Sequence, residues 1–210
     1  MKSIVLHSGG MDSTLCMLMA LRKGRKVLSL GIDYGQRHRI ELEYARHQCE
    51  KFGCPRKILR VEWDKPILHV PLDRKIEKMR RSISPAFLPA RNAVFLTLAC
   101  AEAAGFGARE VWIGANVVDY SGYPDCRPEF ISAFQKMIRV AVPGGPKILA
   151  PLLHMTKPQI ARKAHQLGLR RGDTWSCYQP VISVTGIQSC GRCDACVLHR
   201  HAWDHGVSTS

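Results

Sequence analysis

Three groups of residues carry the side chains with the most chemical potential. The first is Ser8-Gly9-Gly10-Met11-Asp12-Ser13, set between the apolar run Ser3-Ile4-Val5-Leu6 and a stretch with helical periodicity. Two glycines there let backbone N–H groups approach an anion closely, and a helix beginning just after them adds partial positive charge. That is the pattern of a phosphate site. No Gly-Lys-Ser/Thr follows, so the lysine that reaches a transferring γ-phosphate in P-loop enzymes is missing. The second group is Cys177, Cys190, Cys193 and Cys196. Its short spacings let four thiolates converge on one ion at tetrahedral angles, which fills a zinc shell and implies a structural rather than a catalytic metal. A redox or sulfur-carrying role, or unligated thiols, are the alternatives. The third group is Asp119-Tyr120-Ser121-Gly122-Tyr123-Pro124-Asp125-Cys126-Arg127. Carboxylates, rings and an arginine in a shaped turn suit a flat, hydrogen-bonding, partly anionic ligand, whereas an Asx-turn loop without a ligand would have much the same composition.

The elements that must position these groups alternate. Ser3 to Leu6 is a short apolar run with no polar alternation, as a buried parallel strand is, Val27 to Ile32 reads as a second buried strand, and Asp12 or Ser13 is expected to cap the helix between them. A helix from about Arg37 to Phe52 shows Leu42, Ala45, Cys49 and Phe52 on one stripe, and Ile58 to Val61 reads as a third strand. The proline-rich, charged stretch from Asp64 to Pro89 has no clean period and reads as an excursion or lid. Ala93 to Ala104 is apolar nearly all round, as in a helix buried on several sides. Val111-Trp112-Ile113 reads as strand four. A helix from Pro128 to Val140 and a strand at Ile148-Leu149 follow, and Thr156 caps a last helix that has Pro158 near its start. The pattern predicts a doubly wound parallel α/β sheet that binds ligands at the carboxyl ends of its strands, placing the Asp119 loop just beyond strand four. Lys157, at the start of that last helix, is positioned to add positive charge beside the phosphates, or is simply an exposed lysine.

Lysines and arginines outnumber carboxylates 31 to 17, a net charge of +14, which favours anionic partners but is scattered along the chain as on a solvated cationic surface. The longest strongly apolar run, Ala93 to Ala101, is too short to span a bilayer, and Met1-Lys2-Ser3-Ile4 lacks the shape of a secretory signal. A cytoplasmic protein without a membrane partner is expected. There, cysteines clustered at one end point to metal rather than to disulfides.

Ser-Gly-Gly-x-Asp-Ser after the first strand resembles the PP-loop of the N-type ATP pyrophosphatases, which cleave ATP between its α and β phosphates and hold pyrophosphate as leaving group. Asp33-Tyr34-Gly35-Gln36-Arg37-His38, Pro89-x-Arg91-Asn92, the Asp119 to Arg127 loop, Thr174-Trp175-Ser176-Cys177-Tyr178 and the final cysteines together resemble the 7-cyano-7-deazaguanine synthase family of queuosine biosynthesis, in that family's order. The match runs from about Lys2 to Trp203. The resemblance implies a PP-loop ATP pyrophosphatase (adenine-nucleotide α-hydrolase-like) domain over residues 1–172 and a small zinc-binding C-terminal region over 173–210 packed on it. It also implies a ligase that forms a nitrile from 7-carboxy-7-deazaguanine, ammonia and ATP, with one structural Zn²⁺ and with Mg²⁺ on the phosphates. The site residues follow from it. Nucleotide binding is expected over His7, Ser8, Gly9, Gly10, Met11, Asp12, Ser13, Thr14, Leu15, Cys16 and Met17, with catalytic roles for Asp12, Ser13 and Lys157. Substrate is expected at Arg91, Asn92, Asp119, Tyr120, Ser121, Tyr123, Asp125 and Arg127. Nucleic acid is not required, and a homodimer is left open.

Three departures from the family pattern stand out: twelve residues between Cys177 and Cys190, alanine at Ala90 where glycine is expected, and Val197-Leu198-His199-Arg200 displacing an arginine by one place. A PP-loop tRNA-thiolating enzyme shares the adenylation and suits the charge. A relative that attaches the deazaguanine acid to a protein amine shares the acid activation. A zinc-ribbon nucleic-acid module would leave the Gly-Gly loop without a purpose.

Overall fold

The structure is a computed structural model that describes residues 1–36, 39–63, 69–79, 83–116, 123–184 and 186–207. In chain order its elements are β1 (Lys2–Leu6), α1 (Met11–Arg22), β2 (Lys26–Asp33), α2 (Ile40–Lys51), β3 (Arg56–Arg60), α3 (Ile76–Met79) and α4 (Arg91–Phe106). β4 (Glu110–Trp112), α5 (Pro128–Ala141), β5 (Lys147–Leu149), α6 (Lys157–Gln166), β6 (Val181–Ser183), β7 (Gly186–Gln188) and α7 (Asp194–Gly206) complete the chain. Five strands form one parallel sheet in the order β3-β2-β1-β4-β5. Ile4 of β1 sits between Leu28 and Val111, so the connections turn in opposite directions on its two sides. That reversal opens a crevice at the carboxyl ends of β1 and β4.

Period-two alternation sends the strand side chains into two cores. Ile4, Leu30 and Val111 meet Leu96 and Ala99 of α4 and Phe134 and Ile138 of α5. Val5, Val27 and Trp112 meet Leu15 and Met17 of α1, Ile160 of α6 and Trp203 of α7 on the other face. The doubly wound α/β fold is therefore the one expected. Gly206 lets α7 close on α6, since a Cβ there would stand 2.3 Å from the Pro158 carbonyl oxygen.

Local differences from the expected pattern have local causes. Helix α1 starts at Met11 with Gly10 before it, so Asp12 and Ser13 lie inside its first turn rather than capping it. The buried side of α2 is Glu41, Ala45, Gln48 and Cys49, two of them polar, because that side faces the crevice loop rather than a purely apolar layer. Strand β3 is the sheet edge, and Ile58 is 45% exposed. The long span between Cys177 and Cys190 holds the antiparallel hairpin β6–β7, in which Ile182 pairs with Ile187. Of the excursion, residues 64–68 and 80–82 lie outside the described residues. Its Leu72 bridges Cys193, and the Asp73 N–H donates to the Arg192 carbonyl at 2.9 Å, tying the segment to the cysteine-rich end.

Candidate active site

The loop leaving β1 is held in shape by its own hydroxyls, the Gly10 N–H donating to Ser8 Oγ at 3.3 Å. Ser13 Oγ accepts from the Ser8 N–H (3.2 Å) and donates to the Gly10 carbonyl (3.1 Å), while Thr14 Oγ1 donates to that same carbonyl at 2.7 Å. Below the loop, His7 bridges Ser29 Oγ (2.9 Å) and Gln48 Oε1 (2.8 Å), and the Gln48 amide donates to the Gly9 carbonyl at 3.1 Å. The Trp175 N–H donates to that carbonyl too, also at 3.1 Å. The two glycines serve different ends. Gly9 has φ +96°, and a Cβ on it would lie 2.2 Å from the Glu41 carbonyl oxygen, so it is glycine in order to pack against α2. Gly10 has φ −76°, and the nearest atoms to a Cβ there are at 3.5 Å, so the protein itself does not demand glycine at that position. Its bare backbone borders the crevice instead. Gly114 brings the end of β4 close, because a Cβ on it would stand 3.0 Å from Ser13 N.

Lys157 reaches this loop from α6. Thr156 and Gln159 form a reciprocal capping box that fixes the helix start, and Asn116 Nδ2 donates to the Met155 carbonyl at 2.6 Å just before it. Lys157 Nζ then lies 2.6 Å from Asp12 Oδ2. Asp12 Oδ1 is buried with no hydrogen-bond partner among the described residues. An orphaned carboxylate oxygen beside an anion-binding loop fits a hard cation, held directly or through water. His199 lies on the same side, with Nδ1 3.1 Å from Ser176 Oγ and Nε2 3.3 Å from the Arg171 carbonyl, and burial lowers its pKa.

One cavity of about 320 Å³ joins this loop to a wall of rings. Arg91 donates to the Tyr34 hydroxyl at 3.5 Å, Tyr34 leans on Phe95 with centroids 5.4 Å apart, and Tyr123 stacks on Phe87 at 5.2 Å and 25°. Tyr178 completes the wall, and burial raises the pKa of its phenol. Glu41 also borders the cavity. Burial pushes its pKa up to about 7, against the hydrogen bond from Gln36 and the charges of Arg91 and Arg56.

At the far end, the sulfur atoms of Cys177, Cys190, Cys193 and Cys196 all lie within 4.8 Å of one another. Cys177 Sγ is 3.5 Å from Cys190 Sγ, Cys193 Sγ is 3.4 Å from Cys196 Sγ, and Cys190 Sγ is 3.9 Å from Cys196 Sγ. Four sulfurs about 2.3 Å from a zinc ion would be about 3.8 Å apart, so the cluster fits a closed tetrahedral shell. None of the nine cysteines is in a disulfide.

The model of the family described as "Queuosine biosynthesis protein QueC" matches residues 2–206. The chain belongs to the QueC family. It is 56% identical over 202 residues, 96% of each chain, to "7-cyano-7-deazaguanine synthase 2" of Rhodopseudomonas palustris. It is 40% identical over 211 residues to "7-cyano-7-deazaguanine synthase" of Novosphingobium aromaticivorans, covering 96% of this chain and 89% of that one. Among solved structures, the U34-tRNA thiolase NcsA of Methanococcus maripaludis superposes with TM-score 0.54 at 16% identity, covering 80% of this chain and 58% of that one. NMN synthetase from Francisella tularensis gives 0.51 at 14% identity, covering 82% of this chain and 63% of that one. At such identities the likeness is one of fold, and the fold is that of PP-loop enzymes.

Of the residues expected at the site, His7, Ser8, Gly10, Met11, Asp12, Ser13, Arg91, Asn92, Tyr123 and Lys157 border the cavity. Gly9 and Thr14 support the loop from behind, and Leu15, Cys16 and Met17 are fully buried in the core. Asp125 caps α4, with Oδ2 accepting the Asn92 N–H at 3.0 Å, and Arg127 directly precedes α5. Asp119, Tyr120 and Ser121 lie outside the described residues. Glu41, His199 and Asp194 border the cavity without having been singled out from sequence. No sequence signal marks Glu41 or Gln48, since the apolar stripe read on that helix is Leu42, Ala45, Cys49 and Phe52 and the burial of the two polar residues is visible only in the fold.

Proposed function

We propose that this chain is a 7-cyano-7-deazaguanine synthase, an ATP-dependent ligase that converts 7-carboxy-7-deazaguanine and ammonia to the nitrile. The observation that carries the reading is the single cavity joining a phosphate loop to a ring-lined wall with an arginine in it, in a chain 56% identical to a protein of that name. The ring system stacks on the wall and its acid faces the loop. Ammonia cannot displace oxide from a carboxylate, so a carboxylate oxygen first attacks the α-phosphate and pyrophosphate departs. The N–H groups around Gly10 and the Lys157 ammonium receive the departing charge. Amide forms next, and adenylation of the amide oxygen at the same loop removes the second oxygen as AMP. Asp12 would hold Mg²⁺, which when bound supplies charge neutralisation on the phosphates. Arg91, Asn92 and Tyr123 contact the substrate, with Asp119, Tyr120 and Ser121 assigned to it as well. Asp125 and Arg127 position that wall from behind.

Zn²⁺ on the four cysteines has a structural role in this reading, and residues 173–210 form a zinc-binding region on the α/β domain of residues 1–172. The protein works in the cytoplasm on small molecules and needs no nucleic acid. No helix among the described residues is long and apolar enough to cross a membrane, and four clustered thiols suit a reducing compartment. A homodimer is compatible with this reading.

The test supplies the acid and ATP with ammonia as the only nucleophile. Nitrile, AMP and pyrophosphate are expected, with two ATP consumed per acid and ¹⁸O from a labelled carboxylate recovered in AMP at both steps. Label in inorganic phosphate, ADP as main product, or a halt at the amide would overturn the reading.

A further inference from the structure

We infer that Glu41 is a further catalytic residue, the proton acceptor for the nitrogen nucleophile; the inference rests on the function proposed above. Three carboxylates border the cavity among the described residues: Asp12, Glu41 and Asp194. Asp12 is held by Lys157 at the phosphates, and Asp194 lies 3.6 Å from Arg74 beside the cysteine cluster. The two histidines that border the cavity are occupied as well, His7 by Ser29 and Gln48 and His199 by Ser176 and the Arg171 carbonyl.

Glu41 borders the cavity that runs from the phosphate loop to the ring wall. Its backbone carbonyl packs against Gly9, as the 2.2 Å approach to a Cβ built there records, so the residue is fixed relative to the phosphate loop. Its carboxylate accepts from Gln36 Nε2 at 3.1 Å. It is also close enough to Tyr34 and Tyr178 for its charge to raise their pKa values, which places it at the ring wall. In the function proposed above, the acyl carbon that links AMP to the ring system lies between the loop and that wall. Groups facing Glu41 are Gln36 and Tyr34 after β2, Arg56 of β3, Arg91 of α4, and Tyr178. Burial drives its pKa up to about 7, so near neutral pH the carboxyl exchanges a proton readily.

The proton balance is simple. The ammonia lone pair forms the C–N bond to the acyl adenylate, and the nitrogen becomes cationic. Glu41 takes one N–H proton, the C–O bond to AMP breaks with its electron pair, and the amide remains. Adenylation of the amide oxygen leaves a cationic imidate; Glu41 takes its second N–H proton, passes it to solvent, and takes the last one as AMP leaves and C≡N forms. Between steps the carboxyl releases its proton to solvent, and nothing is oxidised or reduced.

Glu41→Gln separates these steps from activation. Pyrophosphate exchange into ATP, dependent on the acid and run without ammonia, should stay within about 2-fold of wild type. Amide formation and amide-to-nitrile conversion should both fall about 100-fold or more, the worth of a positioned base, and their pH profiles should lose the limb that titrates near neutrality. Glu41→Asp should show the same split with a smaller loss. Exchange that falls in parallel with nitrile formation in both variants would make Glu41 a holder of loop or acid and overturn the inference. Nitrile formation at an undiminished rate would overturn it while the proposed function stands. Wild-type protein that makes no nitrile at all would remove the proposed function, and the inference with it.

Discussion

Gly9 and Gly10 are adjacent and alike in sequence, yet alanine should do opposite things at the two positions. At Gly9 the backbone is left-handed at φ +96°, and the new Cβ would meet two α2 backbone atoms, Glu41 O at 2.2 Å and Ala45 N at 2.9 Å. Neither can move without α2. Backbone strain of about 1–3 kcal/mol and overpacking of about 1–3 kcal/mol add to roughly 2–6 kcal/mol, a large share of the ~5–15 kcal/mol that stabilises a domain. At about 2–4 °C per kcal/mol, Gly9→Ala should melt on the order of 10 °C lower. At Gly10, with φ −76° and no atom nearer than 3.5 Å, alanine should leave stability within about 1 kcal/mol, or raise it slightly by restricting the unfolded chain. Its methyl would instead stand where the phosphates approach the backbone. Losing hydrogen bonds to a charged group costs ~1.5–3 kcal/mol, or roughly 10- to 150-fold in ATP affinity. Thermal melting and calorimetric titration with ATP on both variants read the two effects separately. A Gly10→Ala protein that binds ATP like wild type, or a Gly9→Ala protein that melts like it, would refute the division of labour drawn here.

Four further outcomes are expected. Cys193→Ser should lose stoichiometric metal, measured by mass spectrometry of the purified protein, and lower the melting temperature, since ligand loss is coupled to local unfolding; retained metal and an unchanged melt would sink the assignment. Asp125→Ala removes an acceptor 3.0 Å from the Asn92 N–H at the start of α4, so about 1–2 kcal/mol of stability and much of the affinity for the acid should go, and calorimetry showing both intact would refute its positioning role. Ala90 is left-handed at φ 60°, so Ala90→Gly should stabilise by up to about 1 kcal/mol in a urea titration, not destabilise as an ordinary alanine-to-glycine change does. Glu41 has its folded pKa raised from 4.5 to about 7, so its contribution to stability is fully present below pH 4.5 and is lost as pH rises through about 7. That loss is on the order of 3 kcal/mol, and Glu41→Gln should therefore gain on wild type in melts above pH 8 and show no such gain at pH 4.

The sheet was legible because its strands announce themselves. Ser3 to Leu6 and Val27 to Ile32 are mostly apolar with no regular polar alternation, as in a sheet covered on both faces, and the two hydrophobic cores bear this out. The cysteine cluster was legible from spacing, since Cys193 and Cys196 sit one helical turn apart at the start of α7, where both sulfurs can face one point. Other parts of the site were hidden for physical reasons. Glu41 and Gln48 occupy positions on α2 that hydrophobic periodicity assigns to solvent or to nothing in particular, and they turn inward because they serve the loop rather than the core. Asp12 and Ser13 look like caps by residue type. They are released from capping because Gly10, whose carbonyl receives the Thr14 N–H at 3.0 Å, already closes the first turn. The wall around Arg91 depends on residues distant in sequence, Tyr34, Tyr123 and Tyr178, and no local pattern could bring them together.

A closed metal shell would suit such an enzyme because little else holds that end of the chain. The buried cluster there consists of Trp175, Cys177, Cys193 and Cys196, so three of its four buried members are candidate metal ligands, and the side chains packed against it, Ile40, Tyr44 and Val70 among them, are only partly buried. The β6–β7 hairpin cannot help, since Ile182 is 84% and Ile187 49% exposed. Yet this end carries working parts of the cavity. The Trp175 indole donates to the Cys177 carbonyl at 2.9 Å while its backbone N–H donates to Gly9 in the phosphate loop, and α7 supplies His199 to the cavity wall. The excursion is fastened to the same place by the Leu72–Cys193 bridge. Four metal–sulfur bonds would thus do what a hydrophobic core does elsewhere, clamping the Cys177 and Cys190–Cys196 segments, and through Cys193 the excursion, at the rim of the cavity without offering an open coordination position to a reactant. A metal in that role is structural in its chemistry, but its removal should be felt at the phosphate loop, through Trp175, before the parallel sheet itself gives way.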